Sequence, residues 1–540
     1  MKMRTTWLGA VLVLAFAACS VGPMPAGLDI SNTVLTGQVL QRDASTVTLN
    51  LGELAIRQTS ESALPTVTAS MIRSSSHTAP NGQTSETALQ DFVSWQQDAV
   101  LDLSDATFYM MTDDGKVEPA RVDDIEPQDI LNVSIGGDSE ASAVLILTQT
   151  GSKVDSQVLQ GNAANTLKEN MTIHGKEYTS ESEDENALCV QSAQVDLRNV
   201  RVEKADGGSS NAYRSERYGL NAALLATGGA RLSLTNGIVN SSAAEGAGIV
   251  GHGVGTDIQL SNGTVTTTGD GAGGLQTSAG ARIQAKNMTV ITAGDSAPVV
   301  QSGPVGSRIE TEGGTYTSGG YNSPAVYAAG NFQGHNSELT ANNSAAIVLE
   351  GAASVSLENC TVNSNQEENT EQTSPYSVLI HGDQKLPEQG TAVMDVSNGS
   401  IVSRNGYLFH VAGTTCEINL DKVQLTDLDE NDILLQVGSG EGSEGKPSSA
   451  SLNASKQTLT GKLLVYSDST LHLNLENHSD FLGAVYRLGN AGDGNIDVHI
   501  GKDSTWSLTG DSVVDTLQNE GTIYYNGYSI TLGDGTVLTA

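Results

Sequence analysis

The sequence predicts an all-β chain, a small β-barrel followed by a long parallel β-helix, and three observations predict it. A polar frame recurs every 23 to 26 residues over its core stretch, with asparagine in one slot. The apolar residues are mostly Val, Ile, Leu and Ala; only 6 Phe, 3 Trp and 14 Tyr stand beside 59 Gly and 12 Pro, which suits thin strand layers better than a broad globular core. At 540 residues the chain exceeds the size at which single cores stop growing, so it needs several units or one elongated stack.

The N-terminus reads as an export signal. Lys2 and Arg4 precede an apolar run from Trp7 to Ala18, too short for a stable bilayer span. The run closes in Phe16-Ala17-Ala18-Cys19, which resembles a bacterial lipobox with Phe where Leu is usual; the resemblance implies lipidation of Cys19 and attachment to the outer face of a cell membrane. Residues 1–19 are therefore assigned to a lipoprotein signal peptide and 20–33 to a linker. Loss of residues 1–18 would remove Lys2 and Arg4 and leave 62 acids and 25 bases, a net −37.

Residues 34–150 read as the small barrel. Val34 to Leu51 shows two alternating runs around Asp43-Ala44-Ser45, a hairpin pattern, and strand patterns resume at Val100 to Met110, Ile130 to Ile135 and Ala143 to Leu147. Between them, 55–98 is rich in Ser, Thr, Ala and Gln and reads as an insertion. Thr36-Gly37-Gln38-Val39, Thr46 to Gly52 and Asp124 to Ile135 look like the OB-like barrels found near the N-terminus of many bacterial surface lipoproteins. That likeness implies a fold and no activity. Residues 151–170 read as a second linker.

Residues 171–540 read as the β-helix. The segments 231–239, 257–265, 282–290, 308–316, 354–362 and 393–401 align on two apolar residues spaced by two, a polar turn, and a further β-former. Asn199, Asn236, Asn262, Asn287, Asn336, Asn359 and Asn398 share one slot, with Gly313 filling it once. The intervals are 37, 26, 25, 26, 23, 23 and 39 residues, and about 25 residues makes three short strands and three turns. Asparagine tolerates left-handed backbone there, and stacked amides can bond between rungs, so the row is expected to be a structural ladder. The two long intervals coincide with polar stretches at 204–217 and 364–376, expected to be extruded and to be the first places to look for contacts. Roughly twelve rungs at about 4.8 Å would make a rod of some 55–60 Å.

This stretch resembles the pectate-lyase-like right-handed β-helices, and more closely the adhesin-like β-helix surface proteins of bacteria, on Tyr218 to Ala226 followed by GGARLSLTNG. Trp506 to Ser512, with Val514, Leu517, Asn519, Gly521 and Ile523, looks like the closing motif of autotransporter passengers, which implies that Trp506 covers the end of the core. No membrane barrel follows Ala540, so anchoring is expected from Cys19 alone.

Charge narrows function. With 62 acids against 27 bases, formally −35, nucleic acid is excluded as a partner, and so is docking on anionic lipid through a basic patch. Cys189, Cys360 and Cys416 lie far apart in strand patterns and read as small buried hydrophobes.

Chemistry is thinly signposted. Gly251-His252-Gly253 matches one glycoside-hydrolase signature, but the paired carboxylates such a reaction needs are missing around it, with Asp257 and Asp270 as poor stand-ins. His252 is expected to face solvent from a turn, and His252→Ala to leave stability and binding unchanged. Arg231, Arg282 and Arg308 share a slot and either flank a strand or receive an anionic glycan. Acids at Asp113-Asp114, Asp123-Asp124 and 181–185 sit in turns; calcium is the one ion they could take, and no cofactor is expected. The reading is thus a lipid-anchored, extracellular, non-catalytic adhesin-like protein presenting a β-helix to glycans, host surfaces or neighbouring cells. A polysaccharide lyase or hydrolase on the same scaffold, and an envelope protein without a specific ligand, are the alternatives.

Overall fold

The computed structural model describes residues 33–56, 90–111, 117–135, 140–147, 153–304, 306–366, 376–382, 390–429, 432–438, 446–489 and 493–540. Cys19 and Asp113-Asp114 lie outside them, as does most of the expected insertion. Strand makes up 60% of the chain and helix 3%, in a parallel β-helix with an OB-like sheet before it. Right-handed winding is the hand that parallel crossovers adopt.

Eight strands form the N-terminal module: β1 Thr33–Asp43, β2 Thr46–Ile56, β3 Gln90–Asp102, β4 Thr107–Met111, β5 Val117–Pro119, β6 Ile130–Ile135, β7 Ala141–Leu147 and β8 Lys153–Asp155. Their order is β5-β4-β7-β6-β1-β2-β3-β8, so β1 is shared between a meander and a returning hairpin. Alternate residues of all the long strands, among them Leu35, Leu49, Leu101, Val133 and Val144, meet in one core, with Phe108 and Met110 of β4 packed against it. A sheet whose two ends share one core must curl. β3 starts at Gln90, so the stretch 90–98, expected within an insertion, is strand.

Residues 151–170, expected to be a linker, instead hold β8, the short helix α1 Ser156–Leu159, and the strands Asn162–Ala163 and Thr166–Leu167. Two-residue strands carry no alternation to read. Thr166–Leu167 already pairs in parallel with Leu188–Gln191, so the stack begins there.

Thereafter the chain winds on two long parallel sheets of 15 and 22 strands. Fourteen spacings of about 4.8 Å make the stack roughly 67 Å, longer than twelve rungs predict. The extra rungs are at the ends, where strands are short and the apolar pulses weak. One core runs through the coil from Tyr178 to Ile530, filled by Val, Leu, Ile and Ala with single Phe332, Phe409, Phe481 and Trp506 layers.

The asparagine slot is the corner between consecutive strands of the larger sheet. Asn236 separates Arg231–Thr235 from Ile238–Ser241, and its N–H donates to the Ser261 carbonyl of the next rung at 2.9 Å. All seven asparagines have φ between 50° and 53°, and Gly313 has φ 66°. That left-handed conformation strains most residues and suits Asn and Gly. Side-chain bonds are sparser than backbone ones: Asn236 donates to Asn199 at 3.2 Å and Asn287 to Asn262 at 3.5 Å, while Asn336 donates to Glu312 at 3.1 Å. Gly175, Lys422, Lys456 and Asn477 occupy the same corner at φ 62°, 56°, 50° and 54°.

At the far end Trp506 is fully buried, stacks on Phe481 at 5.7 Å and donates its Nε1–H to the Gly483 carbonyl at 3.1 Å. It pairs in register with Ile523, so one further strand lies beyond it. A small sheet of Ser512–Val513, Ile530–Thr531 and Val537–Leu538 then ends the chain, its last pairing antiparallel.

Candidate functional site

The residues singled out for chemistry are scattered by the fold. His252 ends the strand Ile249–His252 of the smaller sheet, Asp257 begins the strand Asp257–Ser261 of the larger one, and Asp270 sits in the turn after Thr264–Thr267. They occupy different sides of one rung.

His252 does not face solvent. It is 1% exposed, its Nδ1 donates to the Arg217 carbonyl at 3.1 Å and lies 2.9 Å from Ser278 Oγ, and Tyr218 packs edge-on at 5.6 Å. Burial pushes its pKa down to about 4. The reason is the segment 204–217, which is not an extruded loop. It forms the helix α2 Ala212–Tyr218, capped by Asn211, whose side chain accepts from the Arg214 N–H at 3.0 Å, and ended by Gly219 at φ 78°. Tyr218 is fully buried with Val93, Leu159 and Tyr213, so α2 joins strand β3 and α1 to the coil. The acids at 181–185 help tie this segment down: Asp184 accepts from Ser210 N at 2.8 Å, and buried Lys204 donates to Ser180 Oγ at 3.4 Å and to the Ser182 carbonyl. In the second polar stretch, 367–375 lies outside the described residues, but Gln366 at its base is buried and donates to the Tyr376 carbonyl at 3.1 Å.

Two of the three arginines in the row, Arg282 and Arg308, are neutralised from within. In register the slot reads Arg231, Asp257, Arg282, Arg308. Arg282 forks onto Glu310 at 2.8 and 2.9 Å, and Arg308 pairs with the same carboxylate at 2.5 Å. Burial would raise the Glu310 pKa, but the hydrogen bonds from Arg282 and Gln284 and the charge of Arg308 hold it below the ordinary range. Cys189, Cys360 and Cys416 are free and buried, and burial pushes the thiols of Cys189 and Cys416 up to about 12. Among the described residues no three His, Cys, Asp or Glu side chains form a metal-holding group, and no helix is long and apolar enough to cross a membrane.

Sequence reading missed the most continuous polar feature. Along the first strand of each rung the central outward position reads, in register, Thr172, Asp196, Ser233, Gln259, Gln284, Glu310, Gln333, Ser356, Asp395, Asn419, Asn453, Asn474, His499 and Gln518. Every member is polar, although nothing in strand formation requires more than an outward side chain. In its lower half the column becomes a directional chain: Asn474 donates to Asn453, Asn453 to Asn419 and Asn419 to Asp395, each at 2.7 Å. A groove of about 530 Å³ lies over it, lined also by Ser356, Ser397, Asp421, Ser455 and Glu476. Just beyond, His472 pairs with Asp497 at 3.1 Å and His499 with Glu476 at 3.2 Å.

No family model, no curated protein and no solved structure matches this chain.

Proposed function

We propose that the chain is an exported, lipid-anchored protein of the bacterial cell surface, adhesin-like, whose β-helix presents one long polar face to extracellular polymers or surfaces and binds without turning them over. The observation that carries this reading is the unbroken outward polar column from Thr172 to Gln518, a surface suited to many weak repeated contacts along an axis. The acidic balance of 62 to 27 favours partners that are not polyanions. Cys19 supplies the anchor in this reading, by its resemblance to the lipidated residue of a lipobox.

Two measurements test it. Cells expressing the full chain should hold it in the membrane fraction, accessible to added protease, and Cys19→Ala should release it to a soluble fraction. The released chain should then bind at least one member of a glycan and extracellular-matrix screen without shortening any polysaccharide. Turnover of a pectin-like polymer would replace this reading with the enzymatic one; absence of binding across the screen would favour a purely structural envelope role.

A further inference from the structure

We infer that the groove from Asp395 to Glu476 is a binding site for an uncharged linear glycan laid along the stack; this rests on the display reading above and gives its ligand a chemical class and a place. The groove crosses five successive strands, Ser354–Glu358, Ala392–Ser397, Thr415–Asp421, Ser449–Ser455 and Thr470–Glu476, which is four spacings or roughly 19 Å, long enough for several sugar rings in a row.

Its floor has the bonding capacity that hydroxyl groups need. A primary amide carries two N–H donors and an oxygen with two acceptor positions. Asn419 and Asn453 each spend one donor and one acceptor on the chain of amides, which fixes their orientation and leaves one of each per rung. A hydroxyl both donates and accepts, so a polyhydroxylated chain matches this alternation at every rung. Ser397, Asp421 and Ser455 add hydroxyl and carboxylate groups along the groove wall beside these amides.

The charge of the walls selects among glycans. Asp395, Asp421 and Glu476 line the groove, and no Lys or Arg is among its described lining residues. A uronate or sulfated polymer would bring like charges together, while a neutral glycan meets only acceptors and amides. The site therefore differs in kind from the arginine slot higher in the coil, where Arg282 and Arg308 are taken up by Glu310.

The test uses the full-length chain with Cys19→Ala, titrated with linear gluco-, xylo-, manno- and galacto-oligosaccharides, and with polygalacturonate as the anionic counterpart. At least one neutral oligosaccharide should bind, with little dependence on salt, and polygalacturonate should neither bind nor compete. Asn453→Leu, which cuts the amide chain, and Ser455→Arg, which fills the groove from the wall and leaves that chain intact, should each weaken binding by roughly tenfold or more. Ile238→Ala, at an exposed position on the strand Ile238–Ser241 and outside the column, should leave it unchanged. The inference is overturned if no neutral oligosaccharide binds, if Ser455→Arg binds as well as the parent, or if polygalacturonate competes. The two readings fail separately: glycan binding lost by Ser455→Arg in a chain that never reaches the cell surface would sink display and keep the groove, and surface adhesion untouched by Ser455→Arg would do the reverse.

Discussion

At the scale of single residues, two positions carry consequences that can be given a sign. His252 has its pKa depressed to about 4 from an ordinary 6.5, so the unfolded chain binds its proton more tightly than the folded one. Its contribution is whole above about pH 6.5 and is lost as the pH falls toward 4, by about 3 kcal/mol in all. Glu245 runs the other way: burial, then Glu216 and Asp270, push its carboxyl up to about 7 from 4.5, so the folded chain is penalised above that range and relieved as pH falls through it. Chemical denaturation at pH 8 should therefore find Glu245→Gln more stable than the parent by about 1–2 kcal/mol, with the difference closing by pH 4.5. His252→Ala should cost about 1–3 kcal/mol at pH 8 and flatten the acid limb of the stability profile. An unchanged profile would mean that the imidazole stays solvated. The asparagine corner obeys a plainer rule. Because the slot demands φ near 50°, Asn236→Val should cost about 1–2 kcal/mol by thermal melting, whereas Asn236→Gly should be nearly neutral, since Gly313 already serves there.

At the scale of elements, what could be read in advance was what local chemistry constrains. The corner asparagines announced themselves because few residues accept left-handed backbone, and the rungs around them because inward aliphatics alternate. Lys422 and Lys456 occupy the same corner but carry no such preference, so they were invisible. The groove was hidden for another reason. Its members Asp395, Asn419, Asn453 and Asn474 are spaced by 24, 34 and 21 residues, and only the strand register brings the unequal intervals back into one column. Helix α2 was hidden too: its seven residues AYRSERY show no apolar period, and the side chain that decides its place, Tyr218, packs against Val93 and Leu159, distant in sequence. Since that ring is fully buried, Tyr218→Ala should lower stability by about 3–5 kcal/mol, and removal of 204–217 should unfold the first rungs and not merely abolish a contact. Limited proteolysis separates the two: new cleavage within 156–250 is expected, and a deletion variant as resistant as the parent would return the segment to the status of a loop.

At the scale of the molecule, a stack of rungs that touch only their neighbours has two ends, and each end is an open sheet edge unless something closes it. Beside the first turns lie α1 and α2, the latter along the flank of the smaller sheet, where the Glu216 carbonyl accepts from Gln276 and its carboxylate from Gln301 at 3.1 Å. The last are closed by a change of direction: after a long run of parallel pairings, Ile530–Thr531 meets Val537–Leu538 antiparallel, and Val514 and Ile530 bury themselves against the core below. Trp506 is one strand in from this end, covered by Ile523, so its burial depends on the closing segment as well as on Phe481. Ending the chain after Gly510 would remove the strand Thr522–Tyr524 and the whole terminal sheet, leaving the edge of Thr505–Leu508 unpaired and Trp506 uncovered. An edge of that kind pairs with any strand of matching register, and the commonest one in solution is the same edge of another copy. Light scattering should thus find the truncated chain in oligomers that grow with concentration, with Trp506 emission shifted to the red in the residual monomer. Charge works against association, because the truncated chain keeps 58 acids against 27 bases, a formal net −31 that makes copies repel, so the oligomers should grow as salt is raised from about 0.05 to 0.5 M. A truncated chain that stayed monomeric at high salt, with its Trp506 emission unmoved, would show that the antiparallel segment is an appendage and that the stack ends itself at the tryptophan layer.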